Sequence, residues 1–238
     1  MMVPASCIPA AQGRPIASAP AAASGAAAAA APRSARLAYD FAAIAAYEPA
    51  PLAHRPRRAG ARPFVRPESE DSAARAVNCL TAAVYFEARA EGEEGQRAVA
   101  QVVLNRVRHY AYPSSVCRVV FQGPMRSGGG CQFTFTCDGS LRQRIDRGAW
   151  ERARRIAAAA LEGEVVSDLG WATHYHADYV RPAWSRRLEP VSTVGRHVFY
   201  AMPGSAGGEA AFVRRSSSLE PAPVRGATAL PTGPASLE

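Results

Sequence analysis

Apolar residues recur at helical spacing over 74–89, where Val77, Leu80, Val84 and the neighbouring Ala and Phe positions share one side. Asp71 or Ser72 is placed to cap the start of this helix, and Glu91-Gly92 to end it. A second helix is predicted from 95 to about 109, with Val99, Val102, Val103 and Val107 as its stripe and Gln96, Arg97, Arg106 and Arg108 largely on the other faces. Pro113 stops it, and Ser114 or Ser115 can cap a short helix carrying Val116, Val119, Val120 and Phe121. After a glycine-rich loop over 123–130, a fourth helix over about 149–161 buries Trp150, Ile156 and Leu161 and exposes Arg152, Arg154 and Arg155.

Past Gly163 the pattern changes to alternation. Thr173 and Tyr175 fall on one side of a strand and His174 and His176 on the other, while 191–194, Gly195 and 197–200 read as a hairpin. Helices followed by a small antiparallel sheet predict an α+β, mainly helical domain and not a doubly wound parallel one.

Composition sets the expected boundaries. All three Trp and most Phe and Tyr lie between 83 and 200, whereas 1–73 and 205–238 are dominated by Ala, Pro, Ser, Gly and Arg. The Pro- and Arg-rich stretch 49–67 resists both helix and sheet. The expected organisation is a disordered tail and linker over 1–73, one folded domain over 74–204, and a disordered tail over 205–238.

The net charge of +8 comes entirely from arginine, since the chain contains no lysine. A basic surface attracts nucleic acid, anionic lipid or an acidic wall polymer alike. No zinc-finger spacing or aromatic-interleaved basic stripe points to nucleic acid, and no apolar run is long enough to span a bilayer. The first 33 residues lack the charged start and Leu, Val or Ile run of a secretory leader. Four of the five cysteines, Cys79, Cys117, Cys131 and Cys137, fall in the expected domain. They read either as two disulfides, with three possible pairings and an oxidising compartment, or as buried free thiols.

The first candidate for chemistry is Glu87, within Tyr85-Phe86-Glu87-Ala88-Arg89 near the end of an apolar helix. Aromatic neighbours desolvate a carboxyl group and raise its pKa, as a glycosidase's general acid requires. A surface glutamate paired with Arg89 or another arginine is the plainer alternative.

Taken together, Tyr85 to Glu91, Gly95-Gln96, Ala98-Val99-Ala100 and Val103-Leu104-Asn105-Arg106-Val107 resemble the cell wall hydrolase family of the spore cortex-lytic enzyme type. The resemblance continues through Tyr112-Pro113, Val116-Cys117, Val120-Phe121-Gln122, Cys131-Gln132-Phe133-Thr134-Phe135 and Cys137-Asp138-Gly139. It ends with His174-Tyr175-His176 and Val194-Gly195-Arg196-His197, then Phe199-Tyr200, and covers about 130 residues in colinear order. Ala90 stands where the family usually has Gly, and Thr134 where Ser is common.

The resemblance implies a lysozyme-like, mainly helical domain in which Glu87 faces a groove for alternating N-acetylglucosamine and N-acetylmuramic acid. It implies a lytic transglycosylase or muramidase-like hydrolase acting on peptidoglycan without a metal or other cofactor; with the cysteines it points to the cell envelope or periplasm, and a monomer is expected. The expected substrate-binding set is Gln132, Phe133, Thr134, Asp138, His174, Tyr175 and His176. Phe133 and Phe135 serve equally well as core, and Tyr175 and Trp184 either stack on sugars or fill core. His174 and His176 share a strand face, but with only Asp138 or Asp178 to join them they read as hydrogen-bonding groups more readily than as metal ligands.

Asp138 and Asp178 are the carboxylates near the motifs considered as a second catalytic group, and neither is a convincing nucleophile. That favours a transglycosylase, which needs no second carboxylate, over plain hydrolysis. The rival functions are a cysteine-dependent wall peptidase using His174 or His176, and a non-catalytic glycan-binding module. If bridged, the cysteines are expected to staple the helical half to the loop bearing Gln132.

Overall fold

The computed structural model describes residues 60–123 and 130–221. The disorder expected for 1–59 and 222–238, and most of the glycine-rich loop, lies outside the described residues. Among the described residues four α-helices, α1 (Glu70–Ala88), α2 (Glu93–Arg108), α3 (Val116–Val120) and α4 (Arg147–Leu161), precede three strands, β1 (His174–Ala177), β2 (Glu189–Val194) and β3 (His197–Ala201). The strands form one antiparallel sheet in the order β1-β3-β2. The α+β, helix-rich class is therefore the one the hydrophobic pattern predicts.

Helix α1 starts earlier than the pattern suggests. Its N-cap is Ser69, whose hydroxyl accepts from Ser72 N, and not Asp71 or Ser72. Ser72 is itself buried and accepts the backbone N–H of Glu220, so tertiary packing takes the residue that local chemistry offers as a cap.

Helix α2 departs most from its predicted faces. Packed by α1, α3 and α4, it is buried on every side from Ala98 to Arg108, and Gln96 is buried as well. Its polar side chains are held by distant backbone: Gln96 Nε2 donates to Ala88 O, and Asn105 Nδ2 to Gly170 O and Ala172 O. Arg106 Nε donates to Thr173 O at 2.7 Å. Such bonds make polar burial tolerable, and they run through segments that helical periodicity does not contain.

Both expected domain limits fall inside the packed body. Ahead of α1, Ala61 and Phe64 are buried. Beyond 204, Ala211 and Phe212 pack with Trp171 and Ala61 in a small second core. Ser115 occupies the N-cap position of α3 without a side-chain capping bond. The buried carboxylate of Glu220 takes that role, accepting from Val116 N at 2.7 Å and Cys117 N at 2.9 Å. Arg75 Nε anchors the same residue through its carbonyl. A polar, serine-rich composition conceals this docking because one carboxylate and one phenyl ring carry most of it.

The four domain cysteines form two disulfides, Cys79–Cys117 and Cys131–Cys137. The first joins α1 to α3, and the second closes a loop only six positions apart in sequence. Neither ties the helical half to the loop bearing Gln132, so that expectation is corrected. The pairing is local because the Cα atoms meeting within 5.2 and 6.3 Å are those of these two pairs.

Candidate active site

The last turn of α1 carries Phe86 and Glu87 to the edge of the core. Phe86 stacks on Phe135 with ring centroids 4.7 Å apart, and Tyr85 packs edge-on against Phe86 and Trp150. Glu87, one position on, lines a cavity of about 750 Å³. Its other walls are Thr134, Phe135, Asp138, Ser140 and Gln143 from the segment around the Cys131–Cys137 loop, and Ala177, Tyr179, Arg196 and His197 from the sheet and its turns.

Glu87 is half-buried, and Tyr175 on β1 donates its hydroxyl to Glu87 Oε2 at 3.0 Å. Burial pushes the Glu87 carboxyl up from the ordinary carboxylate range to about 7. The Tyr175 hydrogen bond and the positive charge of Arg106 pull it back down, and Asp138 pushes it up. Arg106 is a buried guanidinium between the rings of Tyr112 and Phe133, at 5.5 and 5.3 Å from their centroids. The surface pairing with Arg89 is not made: Arg89 Nη1 points to Tyr85 Oη at 3.5 Å.

The turn between β2 and β3 is tied to the α1–α2 turn. Arg196 N donates to Glu91 Oε2 at 3.1 Å, across Gly195 with φ of +56°. A Cβ on Gly195 would lie 1.9 Å from that carboxylate oxygen, so only glycine admits the close approach.

Of the residues expected from sequence, Glu87, Thr134 and Asp138 line the cavity, and Tyr175 lies behind it with its hydroxyl on Glu87. Gln132 and Phe133 are buried and absent from the lining, with Phe133 covered by Arg106. His174 and His176 point to the other face of β1. His174 contacts Tyr112 and Thr173, His176 bonds Tyr200 at 2.9 Å, and Trp184 packs beside both. Alternation along a strand forces this split, because Tyr175 faces Glu87. The two histidines, and Gln132 and Phe133, are thus supporting residues in this arrangement and not lining ones.

Asp178 pairs with Arg196 at 2.8 Å instead of joining the histidines. Among the described residues no group of three or more His, Cys, Asp or Glu converges. Glu91, Tyr179, Arg196 and His197 enter the lining without having been singled out. Three of them stand in the motifs quoted above, which was the available signal.

A half-buried carboxylic acid with a raised pKa thus lines a groove walled by aromatic and polar side chains. Residues 90–200 match the family model described as Cell Wall Hydrolase. That stretch is just under half of the chain. Glu87 lies just ahead of the matched stretch.

The chain is 35% identical over 124 residues to the spore cortex-lytic enzyme of Halalkalibacterium halodurans, an alignment covering 52% of this chain and 34% of that protein. It is 31% identical over 123 residues to the spore cortex-lytic enzyme of Bacillus subtilis, covering 52% and 36%. The chain thus spans about a third of the length of these curated relatives. Among solved structures, the catalytic domain of the Bacillus cereus SleB protein aligns at 27% identity and a TM-score of 0.44, covering 57% of this chain and 94% of that one.

Proposed function

We propose that this domain cleaves the glycan strand of peptidoglycan between N-acetylmuramic acid and N-acetylglucosamine, as a lytic transglycosylase with Glu87 as general acid and then general base. The observation that carries this reading is a glutamate held near pKa 7 on the wall of a groove, where it keeps a proton close to neutral pH. The names of the relatives support peptidoglycan as the polymer and the cell envelope as the place of action.

In the first step the Glu87 proton passes to the glycosidic oxygen as the bond from the anomeric carbon breaks. The substrate's N-acetyl group supports the developing positive charge. Glu87 is then a carboxylate, the form that the Tyr175 hydroxyl and Arg106 favour. It takes the proton of the muramic 6-hydroxyl as that oxygen closes on the anomeric carbon, giving a 1,6-anhydro end without consuming water.

A muramidase-type hydrolysis is the second reading, favoured by one observation: Asp138 shares the cavity with Glu87. Against its serving as nucleophile, Asp138 Oδ1 already accepts from Ser140 N at 2.8 Å. A cysteine-dependent peptidase has no support among the described residues, because all four of their cysteines are in disulfides.

Mass spectrometry of fragments released from purified sacculi tests the proposal. Ends lighter by one water are expected; reducing muramic ends would replace it with hydrolysis. Binding to sacculi without any release would leave a glycan-binding module.

A further inference from the structure

Helix α2 follows the turn whose Glu91 lines the Glu87 cavity, and its last turn carries Arg108 to a second cleft of about 620 Å³. Sixteen helical residues separate the ends of α2 by about 24 Å. The walls of the second cleft are the segment ahead of α1, 62–68, and the segment 209–218.

Arg108, in the last turn of α2, lies on this lining and is 7% exposed. Its guanidinium sits 5.2 Å from the Phe64 ring centroid, and its Nη1 is buried with no hydrogen-bond partner. Trp171, on the same lining, stacks on Phe212 and also has a buried, unpartnered ring N–H. A buried guanidinium nitrogen without an acceptor is disfavoured, and burial draws Arg108 down to about 10.

The acids of the cleft do not neutralise it. Glu209 pairs with Arg62, and Glu68 is exposed. The lining holds five arginines against two glutamates, with Arg62 paired to Glu209 and Arg66 to Glu162 outside the cleft. It also carries Val65 and Val213, among the most exposed large apolar side chains of the described residues. A bare phosphate uses the charge alone, whereas a peptide ending in a carboxylate uses both the charge and the apolar surface.

We propose that this cleft is a second, non-catalytic binding site for a carboxylate-bearing peptide, with Arg108 as its buried counter-ion. A guanidinium matches a carboxylate in plane and charge, and a stacked arginine is already oriented for it. Naming that peptide as the stem attached to the glycan rests on the reading of the Glu87 groove. In that case the two sites hold one polymer at two points along α2.

The test is calorimetric titration of the full chain with a synthetic stem tetrapeptide bearing free carboxylates, with the same peptide amidated at its carboxyl groups, and with inorganic phosphate. The free peptide is expected to bind, and amidation or Arg108→Gln to weaken it at least about tenfold. Arg215→Gln, a change at an exposed rim position, is expected to weaken it about two- to threefold and keeps the test decisive if the Arg108 variant does not fold. Glu87→Gln should leave this binding unchanged, so failure of the catalytic reading is distinguishable. Absence of peptide binding, equal affinity in the amidated peptide or in Arg108→Gln, or a response to phosphate alone would each overturn the proposal.

Discussion

The hydroxyl of Tyr175 lies 3.0 Å from Oε2 of Glu87, joining the first strand to the end of the first helix 88 residues away in sequence. This bond opposes the burial that raises the Glu87 pKa. Tyr175→Phe removes the donor and keeps the ring against Phe199 and His197. The midpoint at which activity falls with rising pH should therefore move up by about one unit. A pH profile of kcat/KM checks it, and an unmoved midpoint would separate Tyr175 from the titrating group.

Asp138→Asn should act in the opposite direction. Its negative charge helps to keep Glu87 protonated, so neutralising it should shift the same midpoint slightly down. Asn can still accept the Ser140 N–H through its side-chain oxygen, and turnover should be largely retained. A loss on the order of 10² or more would instead give Asp138 a part in the chemistry.

Glu87→Gln is expected to lower release of soluble fragments by on the order of 10² or more while changing stability in a pH-dependent way. The folded pKa, about 7, lies above the unfolded value of about 4.5, so the native state holds a proton that the unfolded chain has lost. Wild-type stability attached to this group is complete below about pH 4.5 and declines as pH rises through about 7. The variant should match wild type near pH 4 and exceed it near pH 8 by on the order of 2 kcal/mol, less than the full shift implies because the carboxyl adjoins an open groove. Thermal melts at the two pH values decide this.

Gly195→Ala places a methyl group against the Glu91 carboxylate and forces a side chain into the left-handed region. A destabilisation of about 1 to 3 kcal/mol is expected, with loss of activity as the turn bearing Arg196 and His197 moves. Denaturant unfolding with a parallel activity assay should find both effects. An unchanged activity would mean that this tie does not shape the groove.

The two disulfides should separate stability from activity. Chain entropy assigns about 4 kcal/mol to a loop of the Cys79–Cys117 length and about 2 kcal/mol to that of Cys131–Cys137. Replacing the first pair by Ser should lower Tm more. Replacing the second should cost disproportionately more activity, since its loop carries Thr134 and Phe135 to the groove and Asp138 follows it directly. Equal proportional losses would remove the distinction.

By itself the sequence determined the four helices, the terminal hairpin and an acid at the end of an apolar helix. Each of these is written in local periodicity, capping residues and the preference of a chain for one burial face. Tertiary structure alone decided that Gln96, Arg106 and Arg108 are buried, because their acceptability depends on distant carbonyls and rings. It also decided that Tyr175 and not its neighbouring histidines faces Glu87, since alternation separates the faces of a strand without saying what lies across from each. The pairing of the cysteines and the docking of Glu220 on α3 belong to the same class. They are contacts between segments, and their energy exists only once the chain has brought those segments together.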